Sequence, residues 1–409
     1  MMLNQGKGMG AVKQLAQNGW DILKEEVSLP IAVLEKSALV NNAKWMANFA
    51  KLNGVSLAPH GKTTMAPALF QLQLEHGAWG ITVATVPQLA VAVEAGAKRI
   101  ILANQLVGRF HFAQVKQLLT QRDIELYCFV DSQANARELG AFFVGCANKL
   151  NVLLEVGIAQ GRCGCQSYAE LMDLAHCCSQ YDGLAVAGIG FYEGVIHGSE
   201  AEQQVAQFVA EALQQAVALH QQGYFSVTKP VITGAGSAWY DIVTAVWQEK
   251  ATELPFHCVI RPGCYLIHDT GIYQQAQDKI SRRSQAAQTI MGELRSSLFI
   301  WAYVLSLPEP GRAIIGMGKR DVAFDAGLPT PEWAYSPKQQ QLHKVDDAWT
   351  LTAIMDQHAV MIIPKGARLD VGDMMCFSTS HPCLTFDKWK HIAIVEQPWV
   401  VNELVTTQF

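Results

Sequence analysis

The feature that most constrains the fold is a regular alternation between short apolar runs and longer helical stretches. Eight apolar runs of four to seven residues predict strands at 55–58, 80–84, 99–103, 125–130, 151–156, 184–190, 229–233 and 257–261. Helical spacing between them predicts helices at 39–52, 86–95, 110–119, from 132, and at 168–179 and 200–221. Apolar runs separated by helices are typical of a parallel sheet buried on both faces. Eight such units over about 220 residues predict an α/β fold of the (β/α)8 TIM-barrel type, with a doubly wound sheet as the alternative.

The texture of the sequence changes after about residue 280. Helical spacing fades, and β-like runs such as SLFIWAYVLS and HIAIVEQPWVVNEL alternate with Pro- and Gly-rich turns such as PEPG and GLPTPEW. This pattern predicts a separate, mostly β domain. We therefore divide the chain into an N-terminal extension at 1–27 that packs on the β domain, a barrel at 28–278 and a C-terminal β domain at 279–409.

Composition and charge exclude several classes of protein. A formal net charge of −5 argues against nucleic-acid and anionic-membrane partners. The apolar runs are far shorter than the roughly 18 residues of a membrane span. The N-terminus has no apolar signal core, and the ten cysteines are scattered without Cys-x-x-Cys spacing. We expect a cytoplasmic protein with reduced cysteines.

A lysine lies where a barrel would place its functional groups. Lys62, in the motif PHGKTTM, follows the first predicted barrel strand. Parallel barrels carry their active sites on the loops at the carboxyl ends of the strands. Lys62 is therefore either a solvated loop lysine or a lysine that bonds covalently to a carbonyl cofactor, with a pKa lowered by the site.

Two glycine-rich segments follow the last two predicted strands. Gly236 and Ser237 lie in TGAGS, and Gly263 and Cys264 lie in RPGCY. Glycine-rich strand ends expose backbone N–H groups that bind phosphate, and late barrel strands are a frequent phosphate site. Either segment alone is only a turn. Together with Lys62 they indicate a phosphorylated cofactor across the barrel mouth, with its aldehyde on that lysine.

A third candidate lies in the predicted β domain. In an extended SHPCLT segment, His381 and Cys383 would point to the same face. One imidazole and one thiolate suit zinc, and two coordination positions would stay open for water or substrate. A buried cysteine beside a turn histidine is the alternative.

Five motifs in this order resemble a known family. They are PHGKTT at 59–64, GRCG at 161–164, GFYEG at 190–194, RPG at 261–263 and HPC at 381–383. They resemble the D-serine dehydratase and D-threonine aldolase family of pyridoxal-phosphate enzymes, whose barrel is similar to that of alanine racemase. The similarity extends over nearly all of the chain from about residue 28.

The resemblance implies a role for each motif. Lys62 would carry pyridoxal 5'-phosphate, Arg162 would lie beside its phenolic oxygen, and Tyr192 would lie near its ring nitrogen. The phosphate would be held by hydroxyl or backbone groups of Gly236, Ser237, Gly263 and Cys264. Zinc or another divalent metal would be bound by the side chains of His381 and Cys383. The resemblance also implies a homodimer in which the partner's C-terminal domain closes each site.

Four of the candidate site residues also have an interpretation in which they do not contact the cofactor. His60 shares a face with Lys62 and packs either on the cofactor or only within its own turn. Tyr265 either reaches the phosphate or the substrate, or fills the core. Arg162 could be a surface arginine, and Tyr192 a core tyrosine at a strand end.

The activity that the resemblance implies is loss of water from a β-hydroxy D-amino acid such as D-serine, followed by release of ammonia and a 2-oxo acid. Relatives that cleave the Cα–Cβ bond instead tend to have aspartate where this chain has Cys383. A thiolate favours zinc, and we therefore favour dehydration over an aldolase reaction. A racemase is a further alternative, although no second base opposite Lys62 is assigned. A non-catalytic pyridoxal-phosphate carrier is the last alternative, but such carriers do not typically have a large β domain.

The chain departs from this family in three places. The residues after Lys62 read TTM where many relatives have a histidine, Cys264 stands where asparagine is common, and the stretch at 240–255 is longer. These differences leave the substrate open among β-hydroxy D-amino acids, including D-serine, D-threonine and 3-hydroxyaspartate.

Overall fold

The computed structural model describes residues 6–250, 255–396 and 399–409. Parts of three predicted features lie outside these residues: 1–5 of the N-terminal extension, 251–254 of the long 240–255 stretch, and 397–398 of the apolar run at 391–404. The described residues form two sheets and the helices around them.

The strands and helices have the following bounds. The strands are β1 (Trp20–Asp21), β2 (Ile31–Glu35), β3 (Ser56–Leu57), β4 (Ile81–Val83), β5 (Arg99–Gln105), β6 (Glu125–Val130), β7 (Leu150–Val156), β8 (Leu184–Phe191), β9 (Val231–Gly234), β10 (His257–Ile260), β11 (Leu298–Glu309), β12 (Arg312–Ile315), β13 (Thr330–Ser336), β14 (Gln341–Lys344), β15 (Thr350–Ile354), β16 (Ala359–Ile362), β17 (Met374–Ser378), β18 (His391–Glu396) and β19 (Val400–Thr406). The helices are α1 (Val12–Asn18), α2 (Lys36–Leu52), α3 (Pro67–Glu75), α4 (Val86–Glu94), α5 (Arg109–Gln121), α6 (Gln133–Phe143), α7 (Tyr168–Ser179), α8 (Ala201–Gln221), α9 (Tyr240–Lys250), α10 (Ile272–Arg283), α11 (Gln285–Thr289) and α12 (Cys383–Phe386).

The first sheet is the predicted barrel. Its strand order is β3-β10-β9-β8-β7-β6-β5-β4, and every pairing in it is parallel. Between β3 and β4 the ring closes through a single parallel bridge from His60 to Thr82, where the Thr82 N–H donates to the Pro59 carbonyl at 2.8 Å. The (β/α)8 prediction is confirmed, and the doubly wound alternative is wrong.

Local sequence explains why strand and helix alternate so regularly. All eight residues of β8 are buried, as expected for a strand covered on both faces. Serine or threonine caps begin three of the helices. The side chains of Thr85, Ser132 and Ser167 accept N–H groups from the first turns of α4, α6 and α7. Such caps each stabilise a helix start by about 1 kcal/mol, which fixes the position where each barrel loop ends.

The second sheet is formed mainly by the C-terminal third of the chain. Its main path is β1-β19-β18-β2-β11-β12-β16-β15, with β13, β14 and β17 attached beside it. Strand β2 pairs antiparallel with β11 and parallel with β18. Our division at residue 28 had placed β2 with the barrel, but its hydrogen bonds belong to the second sheet. The described part of the N-terminal extension also joins this unit, where Trp20 and Ile22 are buried with Trp301 and Trp399.

Two helices extend what the sequence predicted. The long stretch after residue 240 begins as helix α9, which carries Trp247 into the core. Helix α10 runs across the predicted boundary at 278, and the chain then continues through α11 and the non-helical residues 290–297 before β11 begins. Among the described helices, none is both long enough and apolar enough to cross a membrane.

A buried histidine follows the loop that contains Cys264. His268 is only 1% exposed, has a φ of 56°, and accepts the Asp269 N–H on its Nδ1 at 2.8 Å. Burial lowers the pKa of His268 to about 4. The folded chain therefore holds a neutral imidazole here, whereas the unfolded chain takes up a proton near the ordinary value of 6.5.

We predict that His268 makes folding sensitive to mild acid. Because its folded pKa is depressed, its contribution to stability is present above pH 6.5 and is lost as the pH falls toward 4. The free energy of unfolding should fall by about 1.4 kcal/mol per pH unit from this group alone. His268→Asn, which tolerates the left-handed backbone and keeps an acceptor, should show a shallower slope. Denaturant unfolding of both proteins across this pH range measures the difference, and parallel slopes would contradict the prediction.

Candidate active site

A cavity of about 180 Å³ opens at the carboxyl ends of the barrel strands. It gathers all of the predicted site residues except Tyr265 and His381. Its lining is His60, Lys62, Thr63, Ala84, Ala103, Asn104, Arg162, Tyr192, Ala235, Gly236, Ser237, Arg261, Gly263, Cys264, Tyr273 and Cys383. The lysine, both glycine-rich loops and the cysteine of the metal motif therefore meet in one place.

Lys62 lies in a short 3-10 turn, Gly61–Thr63, directly after β3. Its backbone N–H donates to the Nδ1 of His60 at 3.4 Å, which places the proton of a neutral His60 on Nε2. Burial, followed by the charges of Lys62 and Arg261, lowers the pKa of His60 well below its usual value. A Cβ on Gly61 would come within 2.6 Å of the Phe70 ring, so only glycine permits this turn. The turn directs the exposed Lys62 side chain into the cavity.

The two glycine-rich loops are tied together by one hydroxyl group. Ser237 Oγ accepts the N–H groups of Gly263 at 3.2 Å and of Cys264 at 3.1 Å. A Cβ on Gly263 would lie 2.8 Å from the His60 carbonyl oxygen, so glycine is required where this loop passes the lysine turn. The N–H groups of Gly263 and Cys264 are therefore bonded within the protein in this structure, and the Ser237 hydroxyl hydrogen is the donor that this junction offers at the late strand ends, where barrels often bind phosphate.

A buried carboxylate holds the first of these loops from beneath. Glu193 is fully buried, and its two oxygens accept the N–H groups of Ala235 at 3.0 Å and Gly236 at 2.6 Å. The Gly236 N–H, which we predicted to face a phosphate, is therefore bonded to Glu193 in this structure. Sequence reasoning did not assign Glu193 a role. The sequence feature that could have identified Glu193 is an acidic residue directly after Tyr192, at the end of an entirely apolar strand.

Arg261 forms the charged floor of the cavity. It is buried, and its guanidinium donates to Thr233 Oγ1 and to the Phe191 carbonyl, both at 2.8 Å. Burial lowers the pKa of Arg261 to about 10, and the charges of Glu193 and Glu155 oppose this decrease. Arg261 stays cationic at neutral pH. Sequence reasoning used it as a motif position without giving it a role.

Arg162 and Tyr192 stack on each other at the cavity wall. The Arg162 guanidinium carbon lies 4.8 Å from the centre of the Tyr192 ring, within the range of a cation–π contact. Burial, followed by the charge of Glu193, raises the pKa of Tyr192, so its phenol stays protonated at neutral pH. Arg162 is exposed, as the surface-arginine interpretation expects, and it also lines the cavity.

An acidic group adjoins the loop that carries Arg162. Ligand atoms of Asp131, Glu155 and Cys163 all lie within 4.8 Å of one another. Glu155 accepts a hydrogen bond from the Gln105 amide, and its pKa is raised by burial and lowered in part by the charge of Arg162. This group supplies negative charge near Arg162 and so favours the guanidinium at the cavity wall.

The predicted metal pair differs from expectation in its backbone. We predicted an extended segment, but Pro382 has helical dihedrals and Cys383 begins helix α12. The extended prediction is wrong, because proline provides the φ of a first helical turn here. The side chains nevertheless meet, since a hydrogen bond to Cys383 is the main cause that raises the pKa of His381 to about 9. Cys383 lines the cavity, whereas His381 is not among its lining residues.

A carboxylate orients the histidine of this pair. His381 Nδ1 lies 2.7 Å from Asp325 Oδ2, which leaves Nε2 free to bind a metal. The Cys383 sulfur lies 3.4 Å from Thr63 Oγ1 and 3.5 Å from the Cys264 sulfur. The hydrogen bond with Cys264 is the main cause that lowers the pKa of Cys383. Sequence reasoning missed Asp325, because nothing in the sequence pairs residues so far apart.

Tyr265 is not at the cavity. It is 3% exposed and its hydroxyl accepts a hydrogen bond from Gln73 at 3.3 Å, so the core-filling alternative describes it. Tyr273, which sequence reasoning missed, lines the cavity instead and lies beside Cys264. It reaches this place from the first turn of α10, whose start is held by Asp269 through hydrogen bonds to the N–H groups of Gly271, Tyr273 and Gln274.

These observations test whether the implied cofactor and metal fit. A lysine on one wall, the Ser237 hydroxyl and two glycine-rich loops on another, and a cationic floor suit a phosphorylated aldehyde. A thiol next to an imidazole whose other nitrogen is bonded to a carboxylate suits zinc. The residues therefore fit both groups.

Comparisons with known proteins agree with this architecture. A family model described as "Alanine racemase, N-terminal domain" matches residues 34–266, and one described as "Putative serine dehydratase domain" matches residues 297–395. The chain is 27% identical to a D-threonine aldolase of an Arthrobacter species over 90% of this chain and 89% of that protein. It is 23% identical to a 3-hydroxy-D-aspartate aldolase of Paracoccus denitrificans over 75% of this chain and 76% of that protein.

Solved structures show the same fold. A D-threonine aldolase from Filomicrobium marinum superposes with a TM-score of 0.76 at 23% identity, covering 95% of this chain and 97% of that one. A D-threo-3-hydroxyaspartate dehydratase from a Delftia species superposes with a TM-score of 0.73 at 20% identity, covering 95% and 99%.

The fold and the matched models define a pyridoxal-phosphate enzyme of fold type III. Within that class, the chain belongs to the family of D-serine dehydratases and D-threonine aldolases, as the five motifs predicted.

We predict that Lys62 carries the cofactor. Borohydride reduction of the protein with bound pyridoxal phosphate, followed by peptide mapping, should label Lys62. Lys62→Ala should lose both the label and the activity, because the covalent anchor and the base are the same group. Lys98→Ala and Lys319→Ala are matched controls that should keep the label. A label on another lysine would contradict the assignment.

We predict that Arg162 acts through its planar guanidinium. Arg162→Lys keeps the charge but loses the fork and the stack on Tyr192. Turnover should fall about tenfold or more, which corresponds to about 1.4 kcal/mol or more of barrier, with the cofactor still bound. Arg122→Lys, at an exposed arginine outside the cavity, is the control. Wild-type turnover in Arg162→Lys would restore the surface-arginine interpretation.

Proposed function

We propose that this protein is a pyridoxal-phosphate- and zinc-dependent lyase that removes water from a β-hydroxy D-amino acid such as D-serine. The product then releases ammonia and becomes a 2-oxo acid. One observation carries the proposal: the Cys383 thiol, paired with His381, lines the same cavity as Lys62.

The ligand types support zinc and, through it, dehydration. A thiolate and an imidazole are soft and borderline ligands that suit zinc, whereas an aspartate in the same place would suit manganese or magnesium. With two protein ligands, a four-coordinate zinc keeps two positions for water or substrate. A related structure is described as a metal-free form of a cysteine-to-alanine variant of the D-threo-3-hydroxyaspartate dehydratase, which agrees with a cysteine at the metal of that protein.

Each residue of the site would have its own role in this reaction. When bound, pyridoxal phosphate supplies a ring that accepts electrons from Cα, and zinc supplies a Lewis acid for the β-hydroxyl group. Lys62 anchors the cofactor at rest and, once freed, its amine takes the proton from Cα. The loops that contain Ser237, Gly263 and Cys264 would hold the phosphate, and Glu193 fixes the backbone of the first of these loops at Gly236.

The cavity wall and the back of the metal site have positioning roles. Arg162 and Tyr192, which stack on each other at the cavity wall, would border the cofactor ring. Behind the metal motif, Asp325 holds the His381 ring in one orientation. These contacts fix the geometry before substrate binds, which is how a site lowers a barrier without reorganising.

An aldolase is the second candidate, and a specific observation favours it. The curated relatives at 27% and 23% identity are named D-threonine aldolase and 3-hydroxy-D-aspartate aldolase. The same Lys62 and the same metal pair would serve that reaction, in which the β-hydroxyl loses a proton and the Cα–Cβ bond breaks. The two activities give different products, since dehydration releases a 2-oxo acid and cleavage releases an aldehyde with glycine.

Our proposal includes a homodimer with a small-molecule substrate. The resemblance implies that the partner's C-terminal domain closes each site. Light scattering coupled to size-exclusion chromatography tests this, with a mass of about twice the 44.9 kDa chain expected.

We predict that metal removal separates cofactor binding from elimination. Holoprotein treated with a chelator should keep its cofactor absorbance and part of its exchange of the α-proton into deuterated water, because Lys62 is intact. Formation of 2-oxo acid from D-serine should fall by about a hundredfold, and zinc should restore it. Assays on D- and L-β-hydroxy amino acids, scored for 2-oxo acid and aldehyde, measure both candidate reactions.

Three variants sharpen the metal experiment. Cys383→Ala should behave like the chelated protein, and Cys383→Asp should gain aldehyde formation with manganese if the ligand type selects the reaction. Cys146→Ala, at a half-buried cysteine outside the cavity, is the matched control. Elimination at the untreated rate in fully metal-free protein would return His381 and Cys383 to ordinary packing. Racemisation without elimination would favour a racemase, and an unperturbed absorbance with D-serine would favour a carrier.

A further inference from the structure

Two cysteines from different units of the fold meet at the edge of the cavity. Cys264 follows the last barrel strand and Cys383 begins α12, yet their sulfur atoms lie only 3.5 Å apart. Thr63 Oγ1 contacts both, at 3.7 Å from Cys264 and 3.4 Å from Cys383. The contact follows from this chain's own sequence, because Cys264 stands where asparagine is common in the family that it resembles.

The two sulfurs differ in how far a small molecule can reach them. Cys264 is 4% exposed, whereas Cys383 is only half buried, and both line the cavity. A reagent at the edge of the cavity would therefore reach the Cys383 sulfur more readily than the Cys264 sulfur. An accessible thiol beside a second thiol is the arrangement in which a mixed disulfide is resolved into an internal one.

The separation is close enough for a bond to form with small rotations. A sulfur–sulfur distance of 3.5 Å is van der Waals contact, and a disulfide bond is about 2.05 Å long. Both cysteines lie in short turns beside their strands, Cys264 at the start of a 3-10 turn and Cys383 at the start of α12. Rotation about Cα–Cβ in either residue moves its sulfur without moving a barrel strand.

A metal held by both sulfurs is the alternative to a disulfide, and their separation of 3.5 Å is compatible with it. On a tetrahedral zinc, donor atoms lie about 3.3 to 3.8 Å from one another. In the part of the chain that the structure describes, the clusters of three donors within 4.8 Å include Asp131, Glu155 and Cys163 but not His381, Cys383 and Cys264 together. A three-ligand site would need a further shift of the histidine or of Cys264, whereas the two sulfurs already touch.

We propose that Cys264 and Cys383 form an oxidisable pair that closes to a disulfide when a small-molecule disulfide such as oxidised glutathione reaches Cys383 at the edge of the cavity. The Cys383 thiolate attacks one sulfur of the reagent, forms a mixed disulfide and releases one glutathione thiolate. Cys264 loses its proton to solvent and attacks the Cys383 sulfur, which releases the second glutathione thiolate. The pair loses two protons and two electrons, and one glutathione disulfide becomes two thiols.

Closure of the pair would remove one ligand from the metal site. A disulfide sulfur is not a thiolate and does not bind zinc as one. This consequence rests on the proposed function, but the formation of the disulfide does not. Oxidation would then stop the metal-dependent step while Lys62 keeps the cofactor, and bound zinc would in turn protect Cys383.

The test uses full-length holoprotein with oxidised glutathione as the probe. Metal-free protein, incubated with the probe and alkylated, should yield a cross-linked pair of peptides containing Cys264 and Cys383, lighter by two hydrogens than the separate peptides. A dithiol reductant should reverse the link. Zinc-loaded protein should form it at least about tenfold more slowly, because the metal occupies the attacking sulfur.

Variants decide between the possible outcomes. Cys264→Ala should lose the link and leave glutathione on Cys383, since nothing resolves the mixed disulfide, and Cys146→Ala should still form it. Separate mixed disulfides without a link, or a link to a different cysteine, would overturn the proposal. A link that forms equally fast with zinc present would support the pair and overturn the metal assignment instead, so the two hypotheses fail separately.

Discussion

The structure depends on closure of the parallel barrel, because closure is what brings distant strand ends to one mouth. The ring is completed by one bridge between His60 and Thr82, only two residues from Lys62. The same short segment therefore joins the first and second barrel strands and carries the lysine. Gly61 and Gly263 are the positions where this junction has no room for a Cβ, one against Phe70 and the other against the His60 carbonyl. The same tightly packed junction therefore closes the barrel and sets the position of the Lys62 amine.

Buried charged side chains lie near this junction, although a purely apolar core would contain none. Glu193 and Arg261 are both buried and lie near each other. The Glu193 carboxylate accepts hydrogen bonds from backbone N–H groups, and the Arg261 guanidinium donates to a hydroxyl and a backbone carbonyl. Buried charges are destabilising unless they are compensated, and here hydrogen bonds satisfy both groups while the charge of Glu193 favours the cationic form of Arg261. Such a frame keeps the cavity polar and stiff, so a phosphate and a cationic floor can coexist with strands that are almost entirely apolar.

Much of the barrel could be predicted from sequence, because each strand is a bounded apolar run and several helices begin with a capping residue. The strand at 125–130 and the helix at 168–179 were predicted at their observed bounds. Prediction failed where structure depends on distant partners. The apolar run of β2 gave no sign that it pairs with β11 and β18, and neither Asp325 nor Tyr273 lies near a motif. The extended prediction for His381 and Cys383 failed because local helix formation after Pro382 overrode the β-like surroundings.

Strand β2 has a consequence for how this chain can be made. It lies near the N-terminus, but its neighbours β11 and β18 lie beyond the whole barrel. During synthesis on a ribosome, β2 emerges early. Its edge toward β11 stays unpaired until about residue 309 has followed, and its edge toward β18 stays unpaired until almost all of the chain has followed. An unpaired apolar strand is an aggregation hazard, and the charged residues Lys36 and Glu35 at its end are its nearest gatekeepers. The second unit therefore cannot be completed before the barrel is made, and fragments cut between the two would carry an incomplete sheet.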